Sequence, residues 1–256
     1  MAAGAGSDDI GASAEVEGID ARLRGSLVHI LLEDLNFARP ETPDEETVLA
    51  LGTDHGVELT AEEVADIQAL VAAFAASPLC ERLATASRPR REAPFSFALE
   101  GGSGPLVIGF VDVLARTPDG GALIVDYKTD RLEGMTPAEL IERDYETQRR
   151  VYALAALSDG APSVEVAYCL LENPGEPVSQ TFTQRDAPAL AEHVLNLAKG
   201  VLAAEYPVTD TPHRDLCGDC PGRTALCSYD ESMTLRDHPA ADTGGEPSGL
   251  PPTVSS

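Results

Sequence analysis

GFVDVLARTPDGGALIVDYKTD, residues 109–130, decides the fold. Two apolar runs flank the turn TPDGG, which predicts an antiparallel hairpin. Asp112 interrupts the first run, and the second, ALIV, ends in DYKTD. Strand residues two apart share a face, so Asp126 and Lys128 point one way and Tyr127 the other. A twist of the hairpin brings Asp112 beside Asp126. Two close carboxylates in a half-buried strand repel each other, and a hard divalent cation such as Mg²⁺ removes the conflict. Lys128 beside it could then orient a water or neutralise charge on a phosphate. A buried Asp–Lys salt bridge accounts equally for DYK taken alone.

Outward from the hairpin, RREAPFSFALE alternates as a third strand, SVEVAYCLLEN reads as a fourth and VSQTFTQRD as a fifth. Helices are expected over IDARLRGSLVHILLEDLNFARP and TPDEETVLALGTDHG. LTAEEVADIQALVAAFAASPL is a third, capped by Thr60 with Glu63 and stopped by Pro78. TPAELIERDYETQRRVYALAALS predicts one long helix with Thr136 as N-cap, followed later by APALAEHVLNLAKGVLAAEY. On the long helix, spacings of three and four put Tyr145, Gln148 and Tyr152 on one stripe, which suits either a polar site or half-buried core. His29 lies on the first helix, four residues after Gly25. The order gives an α/β fold, a short mixed β-sheet flanked by helices.

The chain has 256 residues, 43% of them apolar, and a net charge of −25. Residues 1–20 and 231–256 are expected to be disordered tails, leaving an ordered domain over 21–230. With no long apolar run and no secretory signal, a soluble, cytoplasmic protein is expected, with no membrane partner. The acidity argues against tight autonomous binding to DNA, where Lys and Arg supply most of the affinity. Cys217, Cys220 and Cys227 cluster late, a spacing that suggests a metal site or none rather than a disulfide framework. His213 is a candidate for a fourth ligand, a set with zinc-like character.

RGSLVHILLEDL, REAPFSFAL, GFVDVLART, IVDYKTD and YETQRRVYALAA occur in this order. Together they resemble the RecB-like nucleases of the PD-(D/E)XK superfamily, above all the C-terminal nuclease domain of AddA/UvrD-type helicase–nucleases. The resemblance implies a restriction-endonuclease-like core and a Mg²⁺- or Mn²⁺-dependent deoxyribonuclease of DNA repair and recombination, with DNA and a helicase as partners. It implies a metal shell of His29, Asp112, Asp126 and the Tyr127 backbone carbonyl. Asp112, Asp126 and Lys128 would be catalytic, while Gln148 and Tyr152 would orient DNA and Lys128. Glu92 recurs before the first strand in such domains and is kept secondary. Some such nucleases hold a 4Fe-4S cluster with one cysteine before the core and three after it, for which the resemblance implies Cys80 with Cys217, Cys220 and Cys227. No G-x-x-x-x-G-K-[ST] phosphate loop is present, so no ATP binding is expected of this chain. A stand-alone nuclease or a separated piece of a larger machine both fit, and a non-catalytic DNA-binding or scaffolding component of a helicase complex is the alternative.

Overall fold

The computed structural model describes residues 19–99, 104–205, 208–218 and 220–237. The parts of the expected tails over 1–18 and 238–256 lie outside them. Four helices come first: α1 (Ala21–Asp34), α2 (Glu45–Asp54), α3 (Ala61–Ala75) and α4 (Pro78–Thr85). Strands β1 (Ser87–Ala98), β2 (Leu106–Arg116) and β3 (Ala122–Lys128) follow, then α5 (Pro137–Asp144), α6 (Glu146–Ser158), β4 (Ser163–Leu170), β5 (Val178–Thr183) and α7 (Ala187–Leu202). Two short helices, α8 (Arg214–Cys217) and α9 (Glu231–Thr234), come last. The five strands are ordered β1-β2-β3-β4-β5. All pairs are antiparallel except β3 with β4, which run parallel through the α5–α6 crossover. This is the mixed sheet expected.

Local chemistry sets the helix ends. The Asp20 side chain caps α1, and Thr60 with Glu63 and Thr136 with Glu139 form complete capping boxes. Three expectations need correction. Pro78 ends nothing by itself: it occupies the first turn of α4, where its missing N–H goes unneeded. The long helix is two helices, since Tyr145 has φ −122° and ψ 6° at the joint of α5 and α6, so it leaves the stripe of Gln148 and Tyr152. Residues 231–234, assigned to a disordered tail, form α9 with Asp230 as its cap. The chain divides into two compact units after Ala198, inside α7.

Within the first unit the sheet separates two cores. Leu123, Val125 and Tyr127 of β3 belong to one, with Leu27 and Val28 of α1, Ile67 and Phe74 of α3, and Leu79 of α4. Ala122 and Ile124 face the other, with Tyr152 and Leu154 of α6 and Tyr168 of β4. Each large aliphatic buried this way contributes roughly 1.5–3 kcal/mol. Asp126 continues the second series and is only 2% exposed, so a carboxylate occupies a place that packing would give to a hydrophobe.

The Phe74 ring meets the Tyr127 ring edge-on at 4.7 Å, directly behind the backbone that carries Asp126 and Lys128. Phe74→Ala is therefore expected to cost about 3–5 kcal/mol, measured as a lower urea midpoint with an unchanged m-value.

Candidate metal centre

The β2–β3 ladder ends at the pair Val113↔Val125. The next rung would join Asp112 to Asp126, and it does not form. Instead the Tyr127 N–H donates to Asp112 Oδ2 at 2.7 Å. That side chain thus occupies the place of a ladder acceptor and is held at the splayed strand ends. Across β2, Glu92 falls between the pairs Arg91↔Val113 and Ala93↔Val111, opposite Asp112. Its backbone has φ 41°, a left-handed conformation that a residue other than glycine adopts at a cost.

Helix α1 brings the histidine. Arg24 ties α1 to α3 through Asp66 at 2.6 Å and donates to the Thr129 carbonyl at 3.1 Å, just beyond β3. A Cβ on Gly25 would stand 3.0 Å from Thr129 Oγ1, so glycine permits this approach. One turn on, His29 Nδ1 lies 3.6 Å from Asp112 Oδ2. The ligand atoms of His29, Glu92 and Asp112 all lie within 4.8 Å of one another, and no other such group of three forms among the described residues.

Burial, then the charge of Asp126, push the Asp112 carboxyl up to about 8, against the Tyr127 N–H and Lys128. Glu92 is raised by burial and by the Glu33 and Asp126 charges. His29 is lowered by burial and by Lys128, while Asp126 and the Tyr127 carbonyl, which faces the imidazole, act the other way. The site is thus short of positive charge and ready to bind a cation. Lys128 Nζ is 2.6 Å from Asp126 Oδ2, yet that oxygen has no aligned hydrogen bond among the described residues; it keeps a lone pair uncommitted. Asp126, expected as a ligand, is not part of the group of His29, Glu92 and Asp112 and is paired with Lys128 instead; the imidazole and two carboxylates that do converge fit a hard divalent ion of the Mg²⁺ or Mn²⁺ class.

Tyr152 approaches Asp126 from α6. Tyr152 is buried, and its phenol is raised by burial and by the charges of Asp126 and Asp112. Gln148 Oε1 is buried without a hydrogen-bond partner among the described residues. Tyr145 places its ring beneath the Lys128 ammonium, at 4.1 Å. Sequence reasoning sets Glu92 aside and reads Tyr168 as plain strand. The position of Glu92 between Pro-rich, Arg-rich β1 and Asp112 is the available signal for the first; Tyr168 offers none.

The five cysteines divide between the two units, two in the first and three in the second. Cys80 and Cys169 are buried in the apolar core on the α1 side, where burial raises the Cys80 thiol and pushes Cys169 up to about 12. Such thiols pack as small hydrophobes rather than as thiolate ligands. In the second unit Cys217 is buried, Cys227 half-buried and Cys220 exposed. The Cys220 N–H donates to the Cys217 carbonyl at 3.2 Å, and the Cys217 N–H to the His213 carbonyl at 2.9 Å. The three sulfurs do not close to within 4.8 Å of one another.

Asp112 gives a test of sign. An unfolded aspartate releases its proton near ~4, the folded one at about 8. Between those values the native state binds more protons than the unfolded chain, so its stability falls as pH rises. His29 acts oppositely, losing stability as pH falls through its lowered value. In chelator, Asp112→Asn is expected to match or exceed the parent's Tm near pH ~8, with the gap closing toward ~5; thermal melts across that range measure it.

A PD-(D/E)XK nuclease superfamily model matches residues 7–227. The chain is 31% identical over 133 residues to an ATP-dependent helicase/nuclease subunit of Anoxybacillus flavithermus, covering 50% of this chain and 11% of that protein. It is 31% identical over 157 residues to the corresponding ATP-dependent helicase/nuclease subunit of Bacillus velezensis, covering 54% and 13%. The matched region therefore spans only 11–13% of the length of these relatives. A solved putative exonuclease from Eubacterium rectale aligns at a TM-score of 0.43 and 17% identity, covering 75% of this chain and 71% of that one; at that score the likeness carries no weight. With the family model spanning most of its length, the chain belongs to the PD-(D/E)XK nuclease superfamily.

Proposed function

We propose that this chain is a Mg²⁺- or Mn²⁺-dependent deoxyribonuclease that hydrolyses phosphodiester bonds in DNA repair or recombination, working with a helicase. The carrying observation is the convergence of His29, Glu92 and Asp112 beside the Asp126–Lys128 pair. When bound, the ion would polarise the scissile phosphate and lower the pKa of an attacking water. His29, Glu92, Asp112, Asp126 and the Tyr127 carbonyl would hold it. Lys128 presents a compact positive charge at the cleft, suited to the charge that builds on the phosphate in the transition state. Tyr152 stands beside Asp126 on α6, and it and Gln148 would orient substrate and Lys128.

The net charge of −25 opposes capture of a polyanion, since phosphate contacts supply most non-specific affinity. Delivery by a partner relieves that difficulty. Relatives named helicase/nuclease subunits carry the matching region as 11–13% of their length, which supports a helicase as the partner, fused or separate. A non-catalytic scaffold gains nothing from a buried carboxylate held protonated to about pH 8, and is the weaker reading.

Asp126→Asn is expected to lower Mg²⁺-dependent cleavage of single- or double-stranded oligonucleotides by at least about 10²–10³-fold while circular dichroism stays unchanged. A variant as active as the parent would sink the assignment. So would a parent that cleaves neither substrate in Mg²⁺ or Mn²⁺, alone or with a helicase supplied.

A further inference from the structure

Among 18 basic residues only two are lysines, Lys128 and Lys199. Arginine serves everywhere else, so the compact ammonium at 128 invites a structural explanation. Lys128 Nζ lies 4.1 Å from the Tyr145 ring centroid and 5.7 Å from that of Tyr168, with Asp126 Oδ2 at 2.6 Å. A guanidinium also pairs with carboxylates and stacks on rings, but as a broad planar fork; the compact ammonium sets its charge at one point between the Asp126 oxygen and the ring face.

The ring is itself held. The Tyr145 hydroxyl donates to Asp130, 3.0 Å and 2.9 Å from its two oxygens. Its carbonyl accepts from the Tyr168 hydroxyl at 3.4 Å and from the Arg149 N–H at 2.9 Å. Tyr168 is fully buried, stands opposite Asp126 in the β3–β4 register, and has its ring 5.9 Å from that of Tyr145. Ring, hydroxyl and backbone are therefore fixed at the joint of α5 and α6.

We propose that Tyr145, backed by Tyr168 and anchored by Asp130, is a positioning residue for Lys128: its ring face keeps the ammonium in the cleft once the Asp126 carboxylate is shared with a cation. Half of the ion pair is then drawn away, and the cation–π contact, stronger where water is excluded, is what remains. Its catalytic consequence rests on the nuclease reading; the contact itself does not.

The first readout needs no activity. Protein labelled with ¹³C-lysine shows two ε-methylene signals, and Lys199→Arg leaves that of Lys128. Ring currents shift it upfield in the parent and in Tyr145→Phe; in Tyr145→Leu, which keeps apolar bulk but no ring face, most of the shift is lost. The second readout is turnover in Mg²⁺. Tyr145→Leu is expected to lose about 5- to 30-fold in kcat with KM for DNA little changed, and Tyr145→Phe to stay within about threefold of the parent. Should Tyr145→Leu fail to fold, Tyr145→Met removes the ring face with an unbranched apolar side chain and is expected to lose most of the shift and about 5- to 30-fold in kcat. An unshifted Lys128 signal in the parent overturns the proposal, as does a Phe variant as impaired as Leu, or a folded Leu variant with parental kcat. A parent that cleaves no DNA refutes the nuclease reading instead, and the lysine spectrum still decides the contact.

Discussion

The hydrogen bond from the Tyr127 amide to the Asp112 carboxylate replaces a rung of the β2–β3 ladder, and the rest of the centre depends on that replacement. A ladder continued past Val113 and Val125 would close the sheet over Asp126. By taking the amide, Asp112 leaves the strand ends apart without stranding a buried donor, whose loss would cost about 1–3 kcal/mol. The opening admits His29 from α1 on one side and the Lys128 side chain on the other. Glu92 reaches it only because its own backbone turns left-handed opposite Asp112.

Such a centre is destabilising for the metal-free protein, and the surrounding packing is what sustains it. β3 is covered on both faces, with Leu123, Val125 and Tyr127 in one core and Ala122 and Ile124 in the other. Several fully buried side chains at roughly 1.5–3 kcal/mol each outweigh one buried carboxylate. Phe74 against Tyr127 and the Arg24 ties to Asp66 and Thr129 fix the position of the strand end. The rigidity comes from the apolar faces and is used at the polar tip.

Much of this was legible in the sequence, for local reasons. ALIV is a short apolar run of strand length bounded by a turn, TPDGG turns, and Thr60 and Thr136 announce their helices through Glu63 and Glu139. The face shared by Asp126 and Lys128 follows from strand period alone. Other features depend on contacts distant in the chain. ERDYETQRR contains no glycine or proline, so nothing local signals the break at Tyr145; there, the tyrosine bonds to Asp130 from one end and to Tyr168 from the other. The left-handed backbone of Glu92 runs against its own preference and is imposed by the ladder around it. Pro78 is ambiguous in sequence, because a proline just after a helical run also serves as the first residue of a next helix, which here it does. Cys80 matched a ligand by its chemistry, but its burial is set by a core assembled from elements far apart in the chain.

Each acidic group of the candidate site is accommodated by a different device. Asp126 is neutralised by an ammonium. Asp112 leans on an amide hydrogen and retains its proton to about 8. Glu92 remains exposed to water. A cation entering such a site must first displace a proton from Asp112, so its affinity rises with pH through the neutral range. It leaves the Lys128 charge in place, since the ammonium also rests on an aromatic face. The distribution of these devices divides the strand end: Asp112 and Glu92 could exchange proton and solvent for a cation, while the Asp126 carboxylate would be shared between that cation and an ammonium that its aromatic face holds in place.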